Sequence, residues 1–411
     1  MNAAPSLPGE LPDLLVLLPC LPYPCDRGDK LRWYQMLRLL SRNYRMHAAC
    51  VVDARVEPAH LARIKALCYE TCFISPPGLA RLHTGSAAAQ AHAGAPDDTL
   101  AHWIARLLRR HPIRAALACS VHMAPYLAPH ASLRRVVDFV DLESERRRCA
   151  AATRRWPAAA LWRRGARRLF ERERALAATF DRVLFAAPTA QARFAELAPE
   201  AAHKAMALPN GVDADYFSPH ILHRNPFGPG CKALVLAGAM DDHPNAEAAR
   251  WFARQVFAPM RQADPSLHFY IVGARPDRRV RALECMSGVQ VTGALSDLRP
   301  YLAHAALVLA PLQSDHGLQN KVLEAMAMQR PVLATPQALA GLGLRDGAEV
   351  YTATGAANFG ERVLELLGAD TRAVARAARA RVMRDFTWSG NLSALPGLLE
   401  ANGVVRAVGA T

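Results

Sequence analysis

Lys321 and Glu324 stand three residues apart where a buried apolar run gives way, through a polar loop, to an amphipathic stretch. Leu307–Pro311 is apolar throughout and Gln313–Gln319 is mostly polar. Val322, Leu323, Ala325 and Met326 are apolar again, so the order is strand, loop, helix start. A helix N-terminus offers free N–H donors and a positive dipole end, which suit a diphosphate. Gly317 lets backbone approach such a ligand closely. Lys321 in the first turn reaches phosphate, and Glu324 projects on a related face. An exposed helix carboxylate and a solvated lysine are the plain alternatives.

Three further places carry candidate chemistry. Gly238 follows the apolar run Ala233–Ala237 and permits a tight turn near a phosphate; Asn245 is read as the cap of the next helix. The loop AGAMDDHPN contains no Arg or Lys, and its nearest cation is His243. In VVDFVDLESER, residues 136–146, Asp138 and Asp141 fit a strand interior badly, because a buried carboxylate is costly unless paired. Both are therefore placed at the strand's carboxyl end, facing a cleft, with Ser144 capping the next element; a structural role for Asp138 is an equal reading, and a simple helix cap is the plain alternative for Asp141. In PYPCDRGDK, Gly28, Asp29 and Lys30 suit contact with an acceptor or a phosphate; an ordinary turn capped by Asp29 is the alternative.

The elements that must position these groups alternate regularly. Short apolar runs at Leu14–Leu18, Ala48–Val52, Cys72–Ile74, Ala115–Cys119, Val136–Val140 and Val183–Ala186 read as strands. A second series comes at Ala233–Ala237, His268–Val272, Val289–Thr292, Leu307–Ala310 and Val332–Ala334. Amphipathic stretches lie between them; Trp33, Met36, Leu37 and Leu40 fall on one helical face. Continuous apolar strands alternating with helices imply parallel sheets covered on both faces. LPNGVDADYFSP, residues 208–219, is a strong loop signal and marks the boundary between the two series. The expectation is α/β: two Rossmann-like doubly wound domains, 1–208 and 209–388, facing each other across a cleft. The segment 389–411 is expected to pack back on the first domain. Ligands bind at the carboxyl ends of such strands.

Composition narrows the partners. Of 411 residues, 50 are Lys or Arg and 36 Asp or Glu, a formal charge of +14. Five of the basic residues are lysine, so the surplus is arginine. The segment 146–174 holds eleven arginines against two acids, interleaved with Trp156, Leu161, Trp162, Leu169 and Phe170. That mixture suits an interfacial helix on anionic lipid, with a solvated helical face as the bland reading. No nucleic-acid motif accompanies the charge, and no partner of that kind is expected. Nine scattered cysteines without paired zinc spacing read as reduced thiols and no metal site. Glu10 and Asp13 precede LLVLLPCL where a secretory signal would be basic, so that run is read as a first strand in a cytoplasmic protein.

Several strings together resemble a known family. NGVD at 210–213 is followed by Tyr216, Phe217 and Pro219, and by GLQNKVLEAMAMQRPVLAT at 317–335. These resemble the retaining glycosyltransferases of family 4, which have the GT-B fold. LPYPCDRGDKLR, VVDFVDLESER, GAMDDHPNAEAARWF and VTGALSDLRPYLAHAALVLAPL are similar to the subgroup of sugar transferases associated with PEP-CTERM/exosortase polysaccharide systems. The resemblance spreads over about residues 14–390.

It implies a nucleotide-sugar donor held mainly by the second domain, a saccharide or lipid-linked saccharide acceptor at the first, and no cofactor or metal. Donor-binding residues carried over are Gly238, His316, Gly317, Asn320, Lys321 and Glu324. Glu324 matches the second glutamate of the family's signature, which holds the ribose hydroxyls. His316 occupies the place of the first, which contacts the donor sugar. Asp141 takes a place where relatives often carry a histidine near the reacting sugar, and is assigned to catalysis with Lys321 and Glu324. Gly28, Asp29 and Lys30 are assigned to the acceptor.

The implied activity is hexosyl transfer with retention in exopolysaccharide assembly, on the inner face of the cytoplasmic membrane. A catalytically weak glycan-binding or scaffold relative is the alternative, and a nucleotide-sugar epimerase a third. A dinucleotide dehydrogenase is disfavoured, because no G-x-G-x-x-G follows either first strand.

Overall fold

The computed structural model describes residues 11–25, 27–53, 56–75, 98–152, 156–313 and 320–400. The chain divides into two compact units, one up to Pro209 and again from Leu392, the other Asn210–Asn391.

The first unit is built on β1 (Asp13–Leu18), β2 (Arg45–Val51), β3 (Glu70–Ile74), β4 (Ala115–Cys119), β5 (Arg134–Val140), β6 (Arg182–Phe185) and β7 (Ala205–Ala207). They form one parallel sheet in the order β3-β2-β1-β4-β5-β6-β7. The second unit carries β8 (Lys232–Ala237), β9 (Leu267–Val272), β10 (Val289–Gly293), β11 (Leu307–Ala310), β12 (Val332–Ala334) and β13 (Tyr351–Thr352). Its parallel sheet has the order β10-β9-β8-β11-β12-β13. This is the doubly wound, Rossmann-like α/β class expected. In each sheet the order reverses beside the first strand, between β1 and β4 and between β8 and β11. These are the switch points where α/β sheets leave a crevice at their carboxyl ends.

The apolar runs form strands because both faces are covered. Leu14–Leu18 and Ala233–Leu236 are almost wholly buried. Trp33, Met36, Leu37 and Leu40 all lie inward on the helix Gly28–Leu40. β7 and β13 carry no visible signal in the sequence: three and two residues long, they close the far edges of their sheets.

Asp138 departs from its expected place at the strand end. It lies inside β5 and is fully buried, and the cost is met by pairing. The equally buried Arg32 donates to both of its oxygens from Nε at 3.2 and 2.9 Å, and from Nη2 to Oδ1 at 2.9 Å. Trp33 Nε1 donates to Oδ2 at 3.0 Å, and Arg32 Nη1 donates to the Leu208 carbonyl at 2.6 Å. Asp138 thus ties β5 to the helix Gly28–Leu40 and to the chain leaving β7.

The NGVD string has a structural task. An added Cβ at Gly211 would lie 2.4 Å from the Trp388 backbone nitrogen. Val212 bridges Thr387, and Asn391 Nδ2 donates to the Asn210 carbonyl at 2.8 Å. The string therefore fastens the start of the second unit to its end. Beyond it, the short helix Leu395–Leu399 packs on β4 and β5, where Tyr44 donates to the Pro396 carbonyl at 3.1 Å.

Candidate functional site

In the second unit, β8 and β11 end side by side, and the helix Asn320–Ala327 begins beyond them. A small concavity lies at this switch point, lined among others by Ala237, Asn245, Ala310, Pro311, Leu312 and Lys321. Lys321 Nζ donates to both Glu324 oxygens at 2.9 Å. The Glu324 side chain is only 5% exposed while that of Lys321 is 39% exposed. The i, i+3 spacing thus fixes a carboxylate whose oxygens face the helix start, under a cation that reaches solvent. Arg379, from the helix Arg372–Asp385, donates to the Ala327 carbonyl and to Phe217 O, which caps the far end of the same helix. Thr335 Oγ1 donates to Leu312 O at 2.5 Å and holds the chain leaving β11. His316 and Gly317 lie outside the described residues.

Gly238 is the first residue after β8, and its tightness is real. A Cβ there would come within 2.9 Å of Asn245 Nδ2, and one at Gly273 would overlap the Gly238 carbonyl. Asn245, expected as a helix cap, lies instead inside the first turn of the helix His243–Trp251, whose cap position is Asp242. Its side chain reaches back and donates to the Ala239 carbonyl at 3.1 Å, bracing the turn. The missing cation of this loop arrives from another loop. Arg275, just after β9, donates from Nε to Asp241 at 2.6 Å and is half-exposed. A second basic group, Arg299, lies over the Tyr216 ring at 3.8 Å and is paired with Asp297. Arg275 could not be assigned from spacing, because it reaches Asp241 through the pairing of β8 with β9.

In the first unit, Gly28, Asp29 and Lys30 form the first turn of the helix that follows β1. Asp29 does not stand free: Arg27 pairs with it, and its Oδ1 accepts from the Lys30 N–H at 2.8 Å. Asp141 is exposed just beyond β5, its Oδ1 accepting from the Leu142 N–H at 2.8 Å. Ser144, expected as a cap, is buried inside the next helix, Glu143–Ala152, and bonds Glu173 through both hydroxyl and amide. Burial raises the Glu173 carboxyl to about 7, against the pull of those bonds.

The same edge holds a group that spacing did not single out. His122 stands three residues past β4, beside Ser120, whose φ of 99° is a strained conformation for a residue with a side chain. The Ser120 hydroxyl accepts from the His122 N–H at 3.3 Å, and His122 Nε2 lies 3.9 Å from Glu143. Burial lowers the His122 pKa against the attraction of Glu143. The available signal was a histidine in CSVHMAP immediately after a fully apolar strand.

Residues 231–369 match the family model described as Glycosyl transferases group 1. No curated protein matches the chain in sequence. Among solved structures the chain is similar to WaaG, a glycosyltransferase involved in lipopolysaccharide biosynthesis. The TM-score is 0.66 at 15% identity, over 94% of this chain and 100% of that one. A glycosyltransferase from Rickettsia africae gives 0.65 at 12% identity, over 95% and 98%. Anabaena HepE in complex with UDP and glucose gives 0.65 at 12%, over 94% and 99%. At such identities the likeness is one of fold. Residues 231–369 thus match the Glycosyl transferases group 1 model within a two-unit Rossmann-like fold shared with these glycosyltransferase structures.

Proposed function

We propose that this protein transfers a hexose from a nucleotide-sugar donor to a saccharide acceptor, free or lipid-linked, with retention of configuration, as a family 4 enzyme of polysaccharide assembly. The observation that carries the reading is the Lys321–Glu324 pair at the β8/β11 switch point, inside the matched residues. In this reading Glu324 accepts the ribose hydroxyls. Lys321, Asn320 and the free amides of the helix start stabilise charge on the leaving diphosphate, an oxyanion-type contribution. Gly238, held tight by Asn245, lets backbone approach the same phosphates, and Arg275 adds positive charge beside that turn. The acceptor hydroxyl passes its proton to the departing phosphate, with Asp141 orienting the acceptor and Gly28, Asp29 and Lys30 binding it. No metal takes part in this scheme. Because HepE structures hold UDP and UDP-glucose, UDP-sugars are the first donor class to try.

The test is a thermal-shift panel of nucleotide sugars, followed by turnover of the donor that binds. Glu324→Ala is expected to abolish the donor-induced shift, and Lys321→Ala to lower kcat by roughly 10²-fold. Wild-type turnover in both variants would overturn the site. Donor binding without turnover or hydrolysis would favour the scaffold reading instead.

A further inference from the structure

A separate cluster of chemistry-bearing side chains lies at the amino ends of β1, β2 and β3, the opposite edge from Ser120, His122 and Asp141. Parallel register sets Asp13 opposite Arg45 and His47 opposite Glu70. His47 alternates with Ala49 and Val51, which join the core formed with Leu100, Trp103, Ile104 and Leu107 of the helix Asp98–Arg110. His111 follows that helix directly. Among the described residues, Asp13, His47 and His111 each offer one ligand atom, all within 4.8 Å of one another.

The hydrogen bonds decide which atoms are free. Arg45 donates from Nε to Asp13 Oδ1 at 2.6 Å and from Nη2 to Oδ2 at 2.7 Å. His47 Nε2 lies 2.7 Å from Oδ1. Asp13 thus accepts two charge-assisted bonds from one arginine, the pairing of an ionised carboxylate. An ionised carboxylate only accepts, so His47 carries its ring proton on Nε2 and leaves Nδ1 as a bare lone pair. That ring is wholly buried. His47 Nδ1 and His111 Nε2 are both buried without a hydrogen-bond partner. Each faces Glu70 Oε2, at 3.8 and 3.6 Å. With the His111 proton on Nδ1, two imidazole lone pairs and a carboxylate oxygen face one space, an arrangement that a cation between them stabilises. With zinc–ligand bonds of about 2.0–2.1 Å, a tetrahedral site separates its ligand atoms by about 3.4 Å.

We propose that His47 Nδ1, His111 Nε2 and the Glu70 carboxylate bind one divalent transition-metal ion of the zinc class, with Asp13 as the outer carboxylate that orients His47. Two imidazoles and a carboxylate select such an ion over magnesium or calcium. The Asp13–His47 bond is the histidine–carboxylate support typical of metal sites. Glu70 and His111 are 28% and 14% exposed, so the cluster reaches the surface through these two side chains. The ion would clamp the edge strand β3 to β2 and to the end of the helix Asp98–Arg110. This site is independent of sugar transfer.

The test uses the full chain, stripped with a chelator and titrated with Co²⁺ by visible absorption and with Zn²⁺ by calorimetry. One equivalent is expected to bind with a tetrahedral cobalt spectrum, to raise Tm, and to weaken in acid as protons compete for the ligand atoms. His111→Gln and Glu70→Gln, both at partly exposed positions, are expected to weaken binding by about 100-fold or more while keeping the wild-type circular dichroism. Absence of stoichiometric binding would mean that the cluster holds only a shared proton. That outcome, or affinity unchanged in both variants, overturns the proposal.

Discussion

Glu173 couples the first unit to pH. It is buried beneath Ser144, with Glu143 adding like charge, and its carboxyl rises from 4.5 to about 7. Between those values the folded protein holds a proton that the unfolded chain has lost. Stability is therefore expected to fall as pH rises from about 4.5 to about 7, by roughly 3 kcal/mol over the window. Glu173→Gln keeps the neutral form throughout. Its Tm relative to wild type is expected to rise between pH 5 and pH 8; a constant offset across thermal scans at these values would refute the assignment. The same chemistry places Asp138 inside β5 rather than at its carboxyl end. The rule that a buried carboxylate needs a partner was sound. Its partner, Arg32, lies 106 residues away and was not visible as one. Lys321 and Glu324 were legible because their interaction is local, set by helical spacing alone.

At the scale of elements, the apolar runs marked eleven strands to within a few residues, because a strand buried on both faces must be apolar throughout. β7 and β13 escaped because edge strands this short contribute little burial of their own. Helix caps were read less well. Asn245 and Ser144 are the third and second residues of their helices rather than caps, since a polar residue near a helix start serves equally as a cap or as a brace to a neighbour. The glycine of NGVD gives a clean element-scale prediction. Gly211→Ala places a Cβ against the Thr387–Trp388 backbone, which has no flexible end to yield. A loss of about 1–3 kcal/mol is expected, read as a lower urea midpoint with unchanged m-value. Gly228→Ala, with nothing within 4 Å of the added atom, serves as the near-neutral control. Equal midpoints for the two variants would remove Gly211 from this role.

At the scale of the molecule, charge is concentrated. The segment 146–174 contributes nine of the fourteen surplus positive charges. On the helix Ala158–Thr179, Arg163, Arg164, Arg167 and Arg168 are exposed, with Leu161 71% exposed and nearby Trp156 82% exposed. No helix among the described residues is long and apolar enough to cross a membrane. We propose peripheral docking of this surface on an anionic bilayer, each arginine contributing about 1 kcal/mol near the headgroups. Flotation with anionic vesicles is expected to carry the wild-type protein and to be lost when the four arginines are replaced by glutamine. Unchanged flotation of that variant would discard the docking surface.

The amino-acid sequence by itself determined the two series of buried strands, the loop between them, the local Lys321–Glu324 pair and the arginine surplus. Each of these depends on composition or on contacts within a turn or two. Tertiary structure alone decided what parallel register and helix packing bring together. Arg32 meets Asp138, Arg275 meets the loop after β8, and Asp13, His47, Glu70 and His111 converge from separate elements. Cysteine spacing points to no metal site, whereas His47 and His111 in this cluster lie 64 residues apart. In a parallel sheet, neighbours in space are separated by a whole crossover, so spacing along the chain carries no trace of the distance between them.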